Sequence, residues 1–143
     1  IDGEYKCYFQ YIANDRTQLN SSVIRMFKKR YMLKDNPSMD EVVRDGVLFY
    51  AHTILKGGIT DNIWSKVGIC SEVGDNINIY FYGFGTCWYR WKINTPFQIF
   101  REYTDFNHLP IECLNMNYGS VFPYPYIIKK LKTGFFCGVN GHY

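Results

Sequence analysis

The first residues of the chain alternate between the two faces of a pattern with a period of two. One face carries Tyr5, Cys7, Phe9 and Tyr11, and the other carries Glu4, Lys6, Tyr8 and Gln10. Such alternation is typical of a strand with one face in the core. The sequence therefore predicts a half-buried strand over residues 4–12.

After this strand the apolar residues follow the spacing of a helix. Ile24, Phe27 and Tyr31 recur at intervals of three and four residues, and the polar residues 20–22 precede them. Polar side chains cap a helix by accepting hydrogen bonds from its first backbone N–H groups. We therefore expect a helix from residue 20 to about residue 33.

A second helix is predicted within residues 36–56. Ser38 and Glu41 match the S-x-x-E capping box, in which each side chain satisfies an unpaired backbone N–H. One face of the predicted helix carries Val43, Val47, Tyr50 and Ile54. Gly57 and Gly58 follow as a C-terminal stop.

Beyond residue 66 the period returns to two. Residues 67–73 alternate, 74–76 form a turn signal, and Ile79 and Phe81 begin an apolar face that Trp91 and Ile93 continue. One strand from 76 to 93 would be roughly 60 Å long, which exceeds the size of such a domain. Residues 83–85 must therefore bend the strand, bulge it or reverse the chain. We favour a reversal, which predicts a three-stranded meander.

The last third of the chain gives weaker signals. Residues 95–103 fit two alternatives. Thr95-Pro96-x-Gln98 resembles a capping pattern that would begin a short helix, whereas the apolar residues that follow fit a strand equally well. Residues 104–124 are expected to form a loop. Residues 126–131 and 135–139 are expected to form a hairpin.

This order of elements predicts one α+β domain over residues 1–143, with two helices packed on a mostly antiparallel, curved sheet. In coarse order it resembles the cystatin-like and NTF2-like folds. The resemblance is limited to architecture, and the glutamine-valine-glycine hairpin that cystatins use against papain-type proteases is absent from the sequence.

Composition agrees with an ordinary globular domain of 143 residues, with 47% hydrophobic and 20% charged residues. The net charge of +3 does not by itself indicate a nucleic-acid binder. No apolar run approaches the roughly 20 residues that cross a bilayer. Aromatic residues reach 19% and become the most distinctive feature of the chain.

The five cysteines are widely spaced and contain no CxxC motif, which favours disulfides in a secreted or luminal protein. The expected disulfide cysteines are Cys70, Cys87, Cys113 and Cys137. Cys7 is then left over, either free or paired with a second copy. The alternative is five reduced cysteines in a cytosolic protein.

Two further observations are consistent with secretion. The sequence begins at Ile1 instead of Met, so we expect that a signal peptide has been removed. Asn20 begins an N-x-S sequon and is the predicted glycosylation site.

Signatures of catalysis are missing from the sequence. His52, His108 and His142 are isolated, so no metal-ligand spacing such as HExxH occurs. Residues 83–85 lack the third glycine of a dinucleotide-binding loop. The sequence therefore predicts no catalytic residue, metal or cofactor, and a protein that is not an enzyme.

Basic residues form the densest charged set. Its members are Arg25, Lys28, Lys29, Arg30 and Lys34. On the predicted first helix they would offer a face for a polyanion such as heparan sulfate, nucleic acid or an anionic membrane. The other interpretation is the solvated face of an amphipathic helix.

Aromatic residues are concentrated on both sides of the predicted chain reversal. The candidate partner-binding set consists of Tyr80, Tyr82, Phe84, Trp88, Tyr89 and Arg90. Tyr, Trp and Arg are enriched at binding hot spots. The alternative is that a helix covers this face and makes it a second core layer.

Three functional hypotheses follow. The first is a secreted or luminal module that binds another protein, of host-interaction or receptor-binding type, through the aromatic sheet face. The second is an intracellular nucleic-acid or polyanion binder that uses the basic first helix. The third is a small enzyme or ligand carrier with a pocket between helices and sheet, as NTF2-like folds allow.

Overall fold

The computed structural model describes residues 3–74, 78–84, 87–101, 113 and 116–134. The elements in chain order are β1 (Tyr5–Asp15), β2 (Ser21–Met32), α1 (Met39–Val43), β3 (Val47–Thr53), α2 (Leu55–Thr60), β4 (Tyr80–Phe84), β5 (Trp88–Lys92), β6 (Gln98–Arg101), β7 (Asn117–Tyr118) and α3 (Tyr124–Thr133). The fold class is α+β, as the sequence predicts.

The strands form two sheets instead of one. The first sheet has the order β1-β2-β3 and is antiparallel throughout. The second has the order β6-β5-β4-β7, in which only the β4–β7 pair is parallel. Strands β4, β5 and β6 form an antiparallel meander, and the chain reverses between Phe84 and Trp88. The predicted reversal is therefore confirmed.

The described elements stack in three layers. Helix α3 covers one face of the first sheet, where Ile127 and Leu131 join Ile24, Met26 and Phe49 in a common core. The opposite face of the first sheet packs on the second sheet through a separate core. That core contains Ile12, Val23, Ile79, Phe81 and Trp91. The second sheet thus has an inner face toward the first sheet and an outer face away from it.

The predicted helix over residues 20–33 is wrong, because these residues form the central strand β2. Five consecutive residues from Val23 to Phe27 are buried. A strand that is covered on both faces has no polar side, so its apolar run does not alternate. The helical spacing of Ile24, Phe27 and Tyr31 is a by-product of that run.

The second predicted helix is only partly present. Ser38 does cap a helix, since its Oγ accepts a hydrogen bond from the backbone N–H of Glu41 at 3.1 Å. Helix α1 nevertheless ends at Val43, and residues 47–53 form β3 alongside β2. Gly57 and Gly58 lie inside α2 and do not terminate a helix.

Two strand predictions are also corrected. Residues 67–73 form no strand, and Ile69 is 83% exposed. Residues 126–131 belong to α3, which ends at Gly134 in the left-handed conformation with φ of 82°. Between the two alternatives for residues 95–103, the structure has the strand β6. The predicted strand over 135–139 lies outside the described residues.

Disulfide support of the fold is not seen. Cys7, Cys70 and Cys87 form no disulfide in the described part of the chain, so the expected participation of Cys70 and Cys87 is not found. Cys113 is buried against Tyr82 and Trp88, on the outer face of the second sheet. Cys137 lies outside the described residues.

Candidate functional site

The outer face of the second sheet carries the even-numbered residues of the aromatic set. The antiparallel register pairs Tyr80 with Lys92, Tyr82 with Arg90 and Phe84 with Trp88, so these six side chains share one face. Tyr89 lies on the inner face, where its ring stacks on Trp91 with centroids 5.8 Å apart. The structure therefore brings five of the six predicted binding residues together and separates Tyr89 from them.

One end of this outer face is buried. Tyr82 and Trp88 are 4% and 7% exposed, because they pack with Cys113 in a third core. Phe84 packs on the same core and is half-buried. Tyr82 and Trp88 are therefore not accessible as the contact surface that the sequence predicts, whereas the predicted role of the partly exposed Phe84 stays a prediction.

The other end of the outer face is an open groove with a volume of about 400 Å³. Tyr80, Arg90, Lys92, Phe97 and Gln98 line it, together with the turn at residues 95 and 96. We call these five residues the groove residues. Phe97 is 50% exposed, and its ring packs against the inner-face residue Tyr89 with centroids 5.3 Å apart. No carboxylate lines the groove among the residues that the structure describes.

Two cations converge on one ring in the groove. The Lys92 ammonium lies 5.0 Å and the Arg90 guanidinium carbon 5.9 Å from the centroid of the Tyr80 ring. A cation at this distance from an aromatic face is attracted by the ring quadrupole. The groove therefore combines positive charge with exposed aromatic surface.

A tight turn after β5 shapes the wall of the groove. The backbone N–H of Thr95 donates to Lys92 O at 3.0 Å, and the Thr95 hydroxyl donates to the same oxygen at 2.7 Å. Asn94 has φ of 58°, which asparagine tolerates better than most residues. Gln18 in the β1–β2 connection donates to Thr95 O at 3.2 Å. The turn is thus held by both sheets.

Beneath this turn lies a fully buried polar cluster. Asp15 Oδ2 accepts hydrogen bonds from His52 Nε2 at 2.9 Å and from Trp91 Nε1 at 2.8 Å. Asp15 Oδ1 accepts from the backbone N–H of Asn94 at 3.1 Å. Asp15 and His52 are both 0% exposed. The cluster joins the first sheet to β5 and to the groove turn.

The hydrogen bonds fix the charge state of this cluster. Although burial raises the pKa of Asp15, the hydrogen bonds from His52, Trp91 and Asn94 bring it below its usual value. Burial lowers the pKa of His52, against the opposing effect of Asp15. His52 is therefore neutral with its proton on Nε2, and its buried Nδ1 has no hydrogen-bond partner among the described residues. The pair is fully buried and is hydrogen-bonded to Trp91 and to the turn at Asn94.

The predicted basic set does not form one face. Arg25 is buried, where it donates to Gln10 Oε1 at 2.7 Å and to Glu72 O at 2.9 Å. Lys29 forms an ion pair with Glu41. The other members of the basic set, which are exposed, are Lys28, Arg30 and Lys34. The helical face on which the polyanion hypothesis depends is therefore missing.

Arg30 does approach the basic end of α3. Its guanidinium donates to Leu131 O at 2.6 Å, next to Lys130 and Lys132 in the last turn of that helix. The fold therefore brings Arg30 of the basic set close to the lysines in the last turn of α3.

Asn20 and Cys7 occupy defined places. Asn20 is exposed in the turn between β1 and β2, with φ of 43°, so the predicted glycosylation site is accessible. Cys7 is half-buried in β1, and burial raises the pKa of its thiol. Pairing of Cys7 with a second copy stays a prediction.

Neither a metal-binding cluster nor a membrane-spanning helix occurs in the described part of the chain. It contains no cluster of three or more His, Cys, Asp or Glu side chains that could hold a metal ion. None of its helices has the length and apolar character that crossing a membrane requires.

Comparison with family models, curated proteins and solved structures gives no match to this chain.

Four residues of this region are not predicted from the sequence as parts of a site: Lys92, Phe97, Asp15 and His52. Lys92 shares the parity of Arg90, so its place on the outer face was already visible in the sequence. The pairing of Asp15 with His52 was not visible in the sequence, because the two residues lie 37 positions apart and share no local motif.

Proposed function

We propose that this protein is a binding module that recognises another protein through the open groove on the outer face of its second sheet. The observation that carries the proposal is the open groove on the outer face, in which Arg90 and Lys92 lie over the Tyr80 ring and which the half-exposed Phe97 also lines. Aromatic residues and arginine are the residues that most often carry the affinity of protein interfaces.

The proposed contact surface is smaller than the aromatic surface that the sequence predicts. Tyr82 and Trp88, with Phe84 packed against them, form a core at the other end of this face and do not line the groove. Tyr80, Arg90 and Phe97 supply the contact surface. A preorganised groove loses little conformational freedom on binding, which favours affinity.

We propose a secreted or luminal location on the basis of the cysteine pattern. This part of the proposal rests on the sequence, and Cys7, Cys70 and Cys87 form no disulfide in the described structure. The mass of the natively produced protein after alkylation without reduction tests it. A disulfide would support an oxidising compartment, whereas five alkylated thiols would contradict it.

A photo-crosslinking experiment tests the binding function. A photoreactive phenylalanine analogue replaces Phe97 in one sample and Tyr126 in a matched control. Tyr126 is 44% exposed and belongs to α3, on the far side of the first sheet. Both proteins are incubated with a fraction of secreted and cell-surface proteins and then irradiated.

The expected result is a discrete crosslinked product from position 97 and none from position 126. Excess unlabelled protein should suppress the product, whereas an excess of the Lys92→Glu variant should not. Absence of a product at position 97, or equal products at both positions, would contradict a binding role for the groove.

A further inference from the structure

The connection from α2 to β4 passes around the edge of the first sheet. The Trp64 ring packs on Phe9 with centroids 4.8 Å apart, whereas Cys70 O accepts a hydrogen bond from Gln10 Nε2 at 2.9 Å. Phe9 and Gln10 are neighbours in β1, so their side chains lie on opposite faces of the sheet. Since β2 occupies the other side of β1, residues 64–72 pass around its outer edge. We call residues 64–72 the strap.

The middle of the strap is exposed to solvent. Residues 65–69 are all exposed, and Val67 and Ile69 are the most exposed large apolar residues of the described chain. Among the residues that the structure describes, none forms a hydrogen bond with this segment. Gly68 does approach Met39 of α1, but at the flexible end of that side chain. The segment is therefore open to an enzyme that binds an extended chain.

We propose that the strap is a site of limited proteolysis, at which a trypsin-like serine protease cleaves between Lys66 and Val67 and leaves a two-chain protein. Such an enzyme has a carboxylate in its specificity pocket that pairs with lysine or arginine. Hydrolysis breaks the peptide C–N bond and consumes one water molecule, which leaves a carboxylate on Lys66 and an ammonium group on Val67. This site is separate from the groove, and the proposal does not depend on the binding function.

The position of the other basic residues favours cleavage in the strap. All sixteen lysines and arginines of the chain belong to the residues that the structure describes. Most of them lie in strands or helices, where backbone hydrogen bonds must break before a protease can bind the chain. Those outside strands and helices are Arg16, Lys34, Arg44 and Lys66.

Three of these four residues belong to hydrogen-bonded turns. The backbone N–H of Arg16 donates to Asn94 Oδ1, and that of Arg44 donates to Asp40 O. Lys34 lies in a turn that a backbone hydrogen bond closes. Within the described chain, the strap lysine is thus the basic residue that combines exposure with an irregular segment free of hydrogen bonds. Exposed loops of this kind are the preferred sites of proteolytic nicking.

The strap is anchored on both sides of the proposed cut. Upstream, the backbone N–H of Trp64 donates to Gly58 O at 3.0 Å. Downstream, Gln10 Nε2 and Arg25 Nη2 donate to Glu72 O at 3.1 and 2.9 Å. The core between the two sheets also contains residues from both sides of the cut. The two chains should therefore stay assembled, and the groove residues all lie in the second chain.

Limited digestion with trypsin tests the proposal on the purified full chain. A small amount of trypsin is added, the reaction is stopped at intervals, and the intact mass is measured with and without denaturation. The first product is expected to be heavier by one water molecule in the native spectrum. In denaturant it should separate into fragments 1–66 and 67–143. Both fragments should elute together from a native size-exclusion column.

Two variants assign the cut to its residue. Lys66→Gln removes the positive charge that the enzyme recognises and should slow the first cut at least about tenfold. Lys34→Gln is the matched control, because Lys34 is also exposed but lies in a closed turn. This control should be cut in the strap at the rate of the unmodified protein. Both substitutions change exposed side chains, so both variants should unfold at the same urea concentration as the unmodified protein.

Three results would overturn the proposal. They are a first cut at another lysine or arginine, equal rates of cutting for Lys66→Gln and the unmodified protein, and fragments that separate on the native column. None of them affects the crosslinking result at position 97. Failure of this proposal would therefore leave the binding function of the groove standing, and the two failures can be distinguished.

Discussion

Replacing Asp15 by asparagine tests whether the buried polar cluster holds the two sheets together. The carboxylate accepts three hydrogen bonds, from His52, Trp91 and Asn94. Asparagine has nearly the same shape but only one acceptor oxygen. If that oxygen keeps the bonds to His52 and Trp91, its NH₂ group faces the backbone N–H of Asn94 and leaves that donor unpaired.

The expected cost follows from counting these bonds. One unpaired buried donor costs about 1–3 kcal/mol, and two bonds that lose a charged acceptor lose about 1 kcal/mol each. Relief of the buried charge of Asp15 opposes this cost, although its lowered pKa shows that the fold favours the charged form. We expect a net loss of about 3 kcal/mol, a large part of the 5–15 kcal/mol that stabilises a typical domain.

Urea unfolding followed by tryptophan fluorescence measures this loss, and Trp91 is itself a member of the cluster. The control is Asp40→Asn, which changes an exposed carboxylate in the first turn of α1 and should shift stability by at most about 0.5 kcal/mol. Equal stability of the two variants would refute the argument that the cluster connects the sheets.

Three further predictions concern acidity, packing and thiols. Because the pKa of His52 is lowered in the fold, its contribution to stability is present above about pH 6.5 and is lost as the pH falls through its folded pKa. The fall in unfolding free energy from pH 7 to pH 5 should therefore shrink in His52→Gln, and an unchanged slope would contradict this. Gly119→Ala should cost about 1–3 kcal/mol in urea unfolding, because the new methyl group would collide with the Trp91 ring, and a neutral effect would be inconsistent with that packing. Alkylation in denaturant without reduction should label the thiols of Cys7, Cys70 and Cys87. A mass that lacks labels on two of them would contradict the described arrangement.

The second sheet was the most predictable part of the fold. Its inner face keeps a strict period of two from Ile79 through Phe81, and Trp91 continues it after the reversal. The sequence signals were sufficient because apolar residues alternate on its inner face, although the outer-face residues Tyr82 and Trp88 are buried as well. Alternation then records which side chains are inside.

The first sheet could not be predicted in the same way. Its central strand is covered by α3 on one side and by the second sheet on the other, which removes alternation from Val23 to Phe27. Only tertiary packing distinguishes such a buried strand from a buried helix. The end of α1 was obscured for a similar reason, since Phe49 and Ala51 of β3 contribute to the same covered face.

The sequence contains signals for helix α3, but the predicted hairpin accounts for the same residues equally well. Pro125 lies in the first turn of the helix, Lys130 and Lys132 in its last turn, and Gly134 at its end, all of which are typical of a helix. The β-branched and aromatic residues between them support the hairpin interpretation. Packing against the first sheet decides in favour of the helix.

The candidate site was predictable as a face but not as a groove. The parity of the aromatic residues places Tyr80 and Arg90 together on the outer face, as expected from the sequence. Burial of Tyr82 and Trp88 depends on Cys113, which is 25 residues further along the chain than Trp88. A contact over that separation leaves no local pattern.

Affinity and stability measured on the same variants test the binding role of the groove most directly. The partner identified by crosslinking is titrated against the unmodified protein, Phe97→Ser and Tyr126→Ser, and each protein is also melted. Phe97→Ser should weaken binding at least about tenfold, while its melting temperature should fall by no more than about 5 °C through loss of the contact with Tyr89. Tyr126→Ser should retain full affinity. Unchanged affinity in Phe97→Ser would contradict the claim that this groove is where the protein binds its partner.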